Sequence, residues 1–178
     1  SSLLVMLFLL TLLSDVFFGY DDFDYVSIAN RLLNGDVEGM FQSNSGHRLF
    51  YNSINAVWLV IFQKNLHLYA FTSLIATIGT SLLVYKIMRK SFNDLATVLS
   101  LIFFNLNYYT MFFATKVYPD VLLCFLGFLS FYLIWQRKNA ITISVVLIAA
   151  LLTKVLIVFV APLLVYFMFI DYRGKVNF

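Results

Sequence analysis

The sequence predicts an all-α, polytopic helical membrane protein: about six transmembrane helices, plus two amphipathic interfacial helices in the first extracytoplasmic loop. Three observations predict it. Hydrophobic residues make up 62% of the 178 residues and charged residues only 12%, with a mean hydropathy of +0.89; a soluble domain carries roughly 25% charged residues. Apolar runs close to the length of a bilayer span recur along the whole chain. Basic residues gather in alternate connections between those runs.

The first run, Leu3 to Tyr20, is too long for the apolar core of a signal peptide, and no small-residue cleavage site follows it. It reads as a retained helix. The chain starts without an initiator Met and breaks off at DYRGKVNF, so residues 1–178 read as one transmembrane domain taken from a longer protein. Residues 20–66 form extracytoplasmic loop 1, the longest stretch that spans nothing, and loops of that length are usually functional.

That loop opens with a helix at about 22–34. Asp21 or Asp22 supplies an N-cap, and Asp24 in the first turn favours the helix dipole. Tyr25, Ile28, Ala29, Leu32 and Leu33 recur at helical spacing, and Asn34-Gly35 supplies the stop. The run LFYNSINAVWLVIFQ at 49–63 would be roughly 22 Å long as a helix, short of the ~30 Å hydrocarbon core. Asn52, Ser53 and Asn55 give it a polar side, so it reads as a second interfacial helix. Further spans follow at about 67–87, 95–113, 118–135, 140–153 and 155–171.

Charge tests that count independently. With 49–63 kept out of the bilayer, KIMRK at 86–90, QRKN at 136–139 and the tail DYRGKVNF share one side. Together they hold seven of the twelve basic residues. The opposite side holds Asp21, Asp22, Asp24, Asp36, Glu38 and Asp120. The positive-inside rule places the basic loops in the cytoplasm and the acidic loop outside, at the plasma membrane or the ER membrane.

Several chemistries are excluded. No long basic run suits nucleic acid, and Cys124, the only cysteine, rules out an intrachain disulfide and reads as buried packing. His47 and His67 lack metal-pair spacing, and there is no Gly-rich phosphate loop, GxSxG or HExxH. What stands out is DDFD at 21–24, three carboxylates in four positions beside a membrane, where ionisable groups are costly. They cap a helix and mark the outer side, or act as a general base for a hydroxyl or amine nucleophile, or hold a divalent cation. Asp120 at the start of the fourth span and the His47-Arg48 pair face the same side. Lys154 ends a short span, where it either snorkels to the interface or points into a polar cavity.

Taken in order, these pieces resemble the N-terminal half of a GT-C glycosyltransferase, the superfamily of protein O-mannosyltransferases and the lipid A aminoarabinose transferase. Asp21-Asp22 with Tyr25, Ala29, Leu32-Leu33 and Gly35 is similar to the family's first-loop D-E-x-x-Y…A…LL.G pattern. His47-Arg48 followed by Tyr51, the acid-led span YPDVLLCFLGF and the hairpin LIAALLTKVLIVFVAP are similar to later elements. Leu49 stands where the family often has Pro, and Ala149-Ala150 replace its usual glycines.

The resemblance implies sugar transfer from a polyprenyl-phosphate-linked donor to a protein, lipid or glycan acceptor on the extracytoplasmic side, with inversion. It implies Asp21 as the general base with Asp22 beside it. Asp120, Arg48, Lys154, His47 and Tyr25 would then contact substrate, Arg48 and Lys154 at the lipid phosphate. It leaves open whether a divalent cation (Mg or Mn) is needed. The alternative is a non-catalytic membrane protein, such as a lipid-linked glycan transporter or assembly subunit, whose acidic loop is only surface.

Overall fold

The computed structural model describes residues 20–62 and 69–159, with Pro162 and Tyr166. Of the expected first span, Leu3 to Tyr20, all but Tyr20 lies outside these residues, as does most of the last. The described chain is helical and contains no strand. Its helices are α1 Tyr20–Leu33, α2 Val37–Phe41, α3 Leu49–Phe62, α4 Phe71–Ser91, α5 Asp94–Leu106, α6 Tyr108–Ala114, α7 Pro119–Trp135 and α8 Ala140–Thr153, followed by a 3-10 helix, Val155–Phe159.

Local chemistry sets the boundaries. Gly35, at φ +74°, ends α1: its N–H reaches Leu32 O and that of Asp36 reaches Arg31 O, satisfying the last carbonyls. Asp36, Asn93 and Asn139 cap α2, α5 and α8 through side-chain oxygens at 2.9 Å from Gly39, Ala96 and Thr142 N. Asn107 breaks the expected span 95–113: its side chain accepts from Tyr109 N at 2.9 Å, starting α6 at a 58° bend from α5.

Helix α4 is long and apolar enough to cross a membrane, and α5 with α6 passes as a second if the bent pair is one span. Helices α3, α7 and α8 are apolar but shorter. Helix α4 lies against α5 and α7, α7 against α8, and the pair α1–α3 joins the bundle through α8. The main core gathers Tyr25, Tyr51, Tyr69, Ala76, Val117, Leu122, Leu126 and Ala150. At Gly79 a Cβ would come within 2.5 Å of the Phe125 ring, so its absence lets α7 approach α4.

The outside of the bundle is apolar where a soluble protein's is polar, and several buried side chains are polar. Phe103, Ile141, Val145 and Ile148 are exposed, whereas Thr77, Thr80, Ser130 and Thr153 are buried. Each of these hydroxyls donates to a carbonyl one turn back at 2.8 Å, which satisfies it without water. Helix α3 shows the same inversion. Its expected polar side was to face the interface, but Asn52 and Asn55 are buried with Tyr51 against α1, while Val57, Val60 and Ile61 are exposed and only Ser53 points outward. Cys124, expected in packing, is also exposed, because α7 turns Leu122 and Leu126 inward instead.

Candidate functional site

The site is assembled from four separate stretches: the start of α1, the entry to α3, the start of α7 and the end of α8. In α1 the three aspartates do not share a face, because successive helical residues turn by roughly 100°. Asp21 and Asp22 sit in the first turn of a helix that begins at Tyr20, rather than before it. Asp21 is exposed, Asp22 is 0% exposed, and Asp24 is half-buried. Asp24 is more than a helix-start charge: it accepts from Ser43 Oγ at 2.6 Å, tying α1 to the loop before α3.

One turn after Asp21 and Asp22, Tyr25 is fully buried and meets Tyr51 of α3 edge-on, ring centroids 5.1 Å apart. Tyr118, just before α7, lies 6.4 Å from Tyr25 on another side. Arg48 holds its guanidinium 5.0 Å from the Tyr25 ring centroid, a cation–π contact that fixes its direction. Asp22, Asp21, Asp120 and Arg48 all act electrostatically on Tyr118, and Asp22, Asp120 and Arg48 act on Tyr51. The acids of α1 and α7 and the arginine of the α3 entry therefore share one neighbourhood. Lys154, at the end of α8, donates to Asp120 Oδ1 at 2.6 Å. Of its two expected roles, the structure shows an ion pair inside this group.

His47 stands apart. It is exposed and its ring lies 5.4 Å from Phe41. Among the described residues no group of three or more His, Cys, Asp or Glu side chains could hold a metal ion. The three aspartates of DDFD do not converge as a cation site would need.

The turn carrying Tyr118 and Asp120 is held from α4. Ser73 Oγ, fully buried, donates to Lys116 O at 2.6 Å and lies 3.3 Å from Tyr118 O. The adjacent Thr72 Oγ1 accepts from Trp58 Nε1 of α3 at 2.6 Å. The first turn of α4 thus braces both neighbouring pieces of the site. Asp120 also borders a cleft of about 180 Å³ between α4, α6 and α7, lined by Thr77, Thr80, Tyr109 and Phe113.

Burial pushes the Tyr51 phenol well above its usual pKa; Asn55 partly offsets this, the Asp22 and Asp120 charges add to the rise, and Arg48 opposes it. The phenol stays protonated, a donor. Yet Tyr51 Oη, Tyr25 Oη, Asn52 Oδ1 and both amide atoms of Asn55 complete no hydrogen bond among the described residues. Leaving such groups buried and unsatisfied costs roughly 1–3 kcal/mol each. Tyr51, Tyr118 and Asn55 received no role from the sequence. The signal was there in part, since each of the three tyrosines stands within four positions of a charged site residue: Tyr25 after Asp21, Tyr51 after Arg48 and Tyr118 before Asp120.

No curated protein and no solved structure matches the chain. Residues 47–177 match the family described as dolichyl-phosphate-mannose-protein mannosyltransferase. The match takes in Arg48, Tyr51, Asp120 and Lys154 and leaves α1 with its aspartates outside it. Covering well over half of the sequence, it identifies this membrane protein as a member of the dolichyl-phosphate-mannose-protein mannosyltransferase family.

Proposed function

We propose that this chain carries the donor-side catalytic part of a membrane glycosyltransferase, moving a sugar from a polyprenyl-phosphate-linked donor to an acceptor at the extracytoplasmic face. The observation that carries the reading is convergence. Asp22, Arg48, Asp120 and Lys154 come from four stretches of chain: Arg48 lies over Tyr25, the Asp22, Asp120 and Arg48 charges all act on Tyr51 and Tyr118, and Lys154 pairs with Asp120. Charges are costly near a membrane and gather this way where they are used.

Asp21 is exposed, so an acceptor can reach it, and it serves as the general base. As Asp21 takes the acceptor's proton, the acceptor atom attacks the anomeric carbon from the side opposite the phosphate. The bond from that carbon to the phosphate oxygen breaks, its electron pair leaves with the lipid phosphate, and the configuration inverts. Arg48 and Lys154 stabilise the departing negative charge. Asp22, fully buried, adds a negative charge that acts on Tyr51 and Tyr118 against the positive one of Arg48.

The test is sugar transfer by the full-length protein in membranes, with polyprenyl-phosphate-mannose as donor. Asp21→Asn is expected to lower turnover by roughly 10²–10⁴-fold while expression and donor binding persist. Undiminished turnover would remove Asp21 as the base. A full-length wild type that binds the donor yet never transfers its sugar would favour a transporter or assembly subunit.

A further inference from the structure

The unsatisfied polar cluster between α1 and α3 points to a ligand that completes it. Asn55 is 1% exposed, and its amide lies near enough to the Tyr51 phenol to stabilise it, yet neither amide atom nor the phenol reaches hydrogen-bond geometry with a partner among the described residues. Tyr51 and Tyr25 are each 0% exposed, with free phenolic oxygens. Asn52 spends its amide N–H on Ser45 O at 2.9 Å and keeps its carbonyl oxygen unused. Elsewhere in the bundle the buried hydroxyls of Thr77, Thr80, Ser130 and Thr153 are satisfied by their own helix backbone and that of Ser73 by Lys116 O, so this cluster is no general feature of the fold.

The chemistry of the unused atoms selects the ligand class. Two phenols donate, one carboxamide both donates and accepts, and a second carboxamide oxygen accepts. A phosphate only accepts, and a cation needs oxygens free of a competing positive charge. The Arg48 guanidinium over Tyr25 disfavours a cation here. A sugar hydroxyl, which donates and accepts at one atom, fits the mixture. Arg48 stands beside the cluster, where it can meet a phosphate attached to that sugar.

We propose that Asn55, with the Tyr51 and Tyr25 hydroxyls, is the element that recognises the hydroxyls of the donor sugar. This rests on the function proposed above. It separates two jobs on neighbouring residues: Arg48 and Lys154 take the phosphate, while α3 reads the sugar through groups that stay unsatisfied until it arrives. A site whose buried polar groups are left unpaired without the right hydroxyl discriminates strongly against a sugar lacking it.

Stability and binding are expected to move in opposite directions. Melting of the full-length protein is measured alone, with polyprenyl phosphate, and with polyprenyl-phosphate-mannose. Wild type is expected to gain more from the mannose-bearing lipid than from the bare phosphate. Asn55→Leu removes unsatisfied groups at similar volume, so it melts at or above the wild-type temperature, loses the mannose-dependent gain and keeps the phosphate-dependent one. Tyr51→Phe keeps the ring contact with Tyr25 and is expected to behave likewise should Asn55→Leu fail to fold. In transfer assays both variants raise the donor KM by roughly tenfold.

Retention of the mannose-dependent gain by both variants, or its absence from wild type, overturns the assignment. So does a lower melting temperature in both variants with binding unchanged, which would make the cluster a core network bridged by water. A wild type that shows the mannose-dependent gain but transfers nothing would sink the proposed reaction and leave this site standing. Normal transfer with unchanged KM in both variants would do the reverse.

Discussion

The two ends of the described bundle handle charge in opposite ways. At the site end Asp22 is buried, Arg48 is half-buried over Tyr25, and Lys154 is committed to Asp120. At the other end Lys86, Arg89, Lys90, Arg137 and Lys138 are all exposed. Three of them rest on aromatic rings: Lys90 over Trp135 at 4.6 Å, Lys86 over Tyr132 at 5.9 Å, and Arg89 on Tyr85, to which it also donates. Solvated cations on an aromatic rim orient a membrane protein and need no fixed partners. Desolvated charges among unsatisfied polar groups are destabilising unless a ligand uses them. The difference separates residues that place the chain from residues that act on something.

Four substitutions test that difference between the two ends. The largest effect is expected from Lys154→Met, which removes a cation from the leaving phosphate and strands Asp120. Turnover is expected to fall by roughly 10²–10³-fold. The stability change should stay near 1 kcal/mol, because the pair is partly exposed. A large melting shift with little kinetic loss would make the pair structural.

Next is Gly79→Val, which places carbon against Phe125 where a Cβ already comes within 2.5 Å. It should destabilise by about 1–3 kcal/mol in chemical unfolding, through overpacking of α4 on α7. Ser73→Ala releases the turn before Asp120 and leaves Lys116 O unsatisfied by that hydroxyl. It is expected to lose about 1 kcal/mol of stability together with a measurable fall in kcat. Ser73→Thr, which keeps the hydroxyl, should recover part of both.

The smallest effect belongs to the far end. Lys90→Ala gives up an exposed cation–π contact, about 0.5–1 kcal/mol at most, with kcat unchanged. A kinetic defect there would mean that the two ends are coupled. Orientation can be read separately in a Cys124→Ser background. A cysteine placed at Asp36 should label from the extracytoplasmic side and one at Lys138 from the cytoplasmic side; the reverse pattern would invert the assignment of faces.

Helix α1 was legible almost to the residue, because its stop is local chemistry: Asn34-Gly35 ends it whatever it packs against. The continuous span expected at 95–113 was not, because Asn107 gains a cap by leaving the helix, and hydropathy averages across such a break. The polar residues of α3 are visible in the sequence, but a helix bordering water would turn them outward. Packing against α1 reverses that direction, and Asn52 and Asn55 turn inward.

By itself the sequence determined the all-helical membrane class, the stop of α1, and the pairing of acids with one set of loops and bases with the other. These follow from composition, capping and charge counts, which act locally or on average. Only the tertiary structure decided which of the three aspartates is buried, that Lys154 meets Asp120 across 34 positions, and that Asn55 joins Tyr25 and Tyr51 in an unsatisfied cluster. Those outcomes depend on the rotation of each helix about its axis and on which helices become neighbours. Packing sets both, and a turn of roughly 100°, one residue along a helix, would bring a different side chain inward.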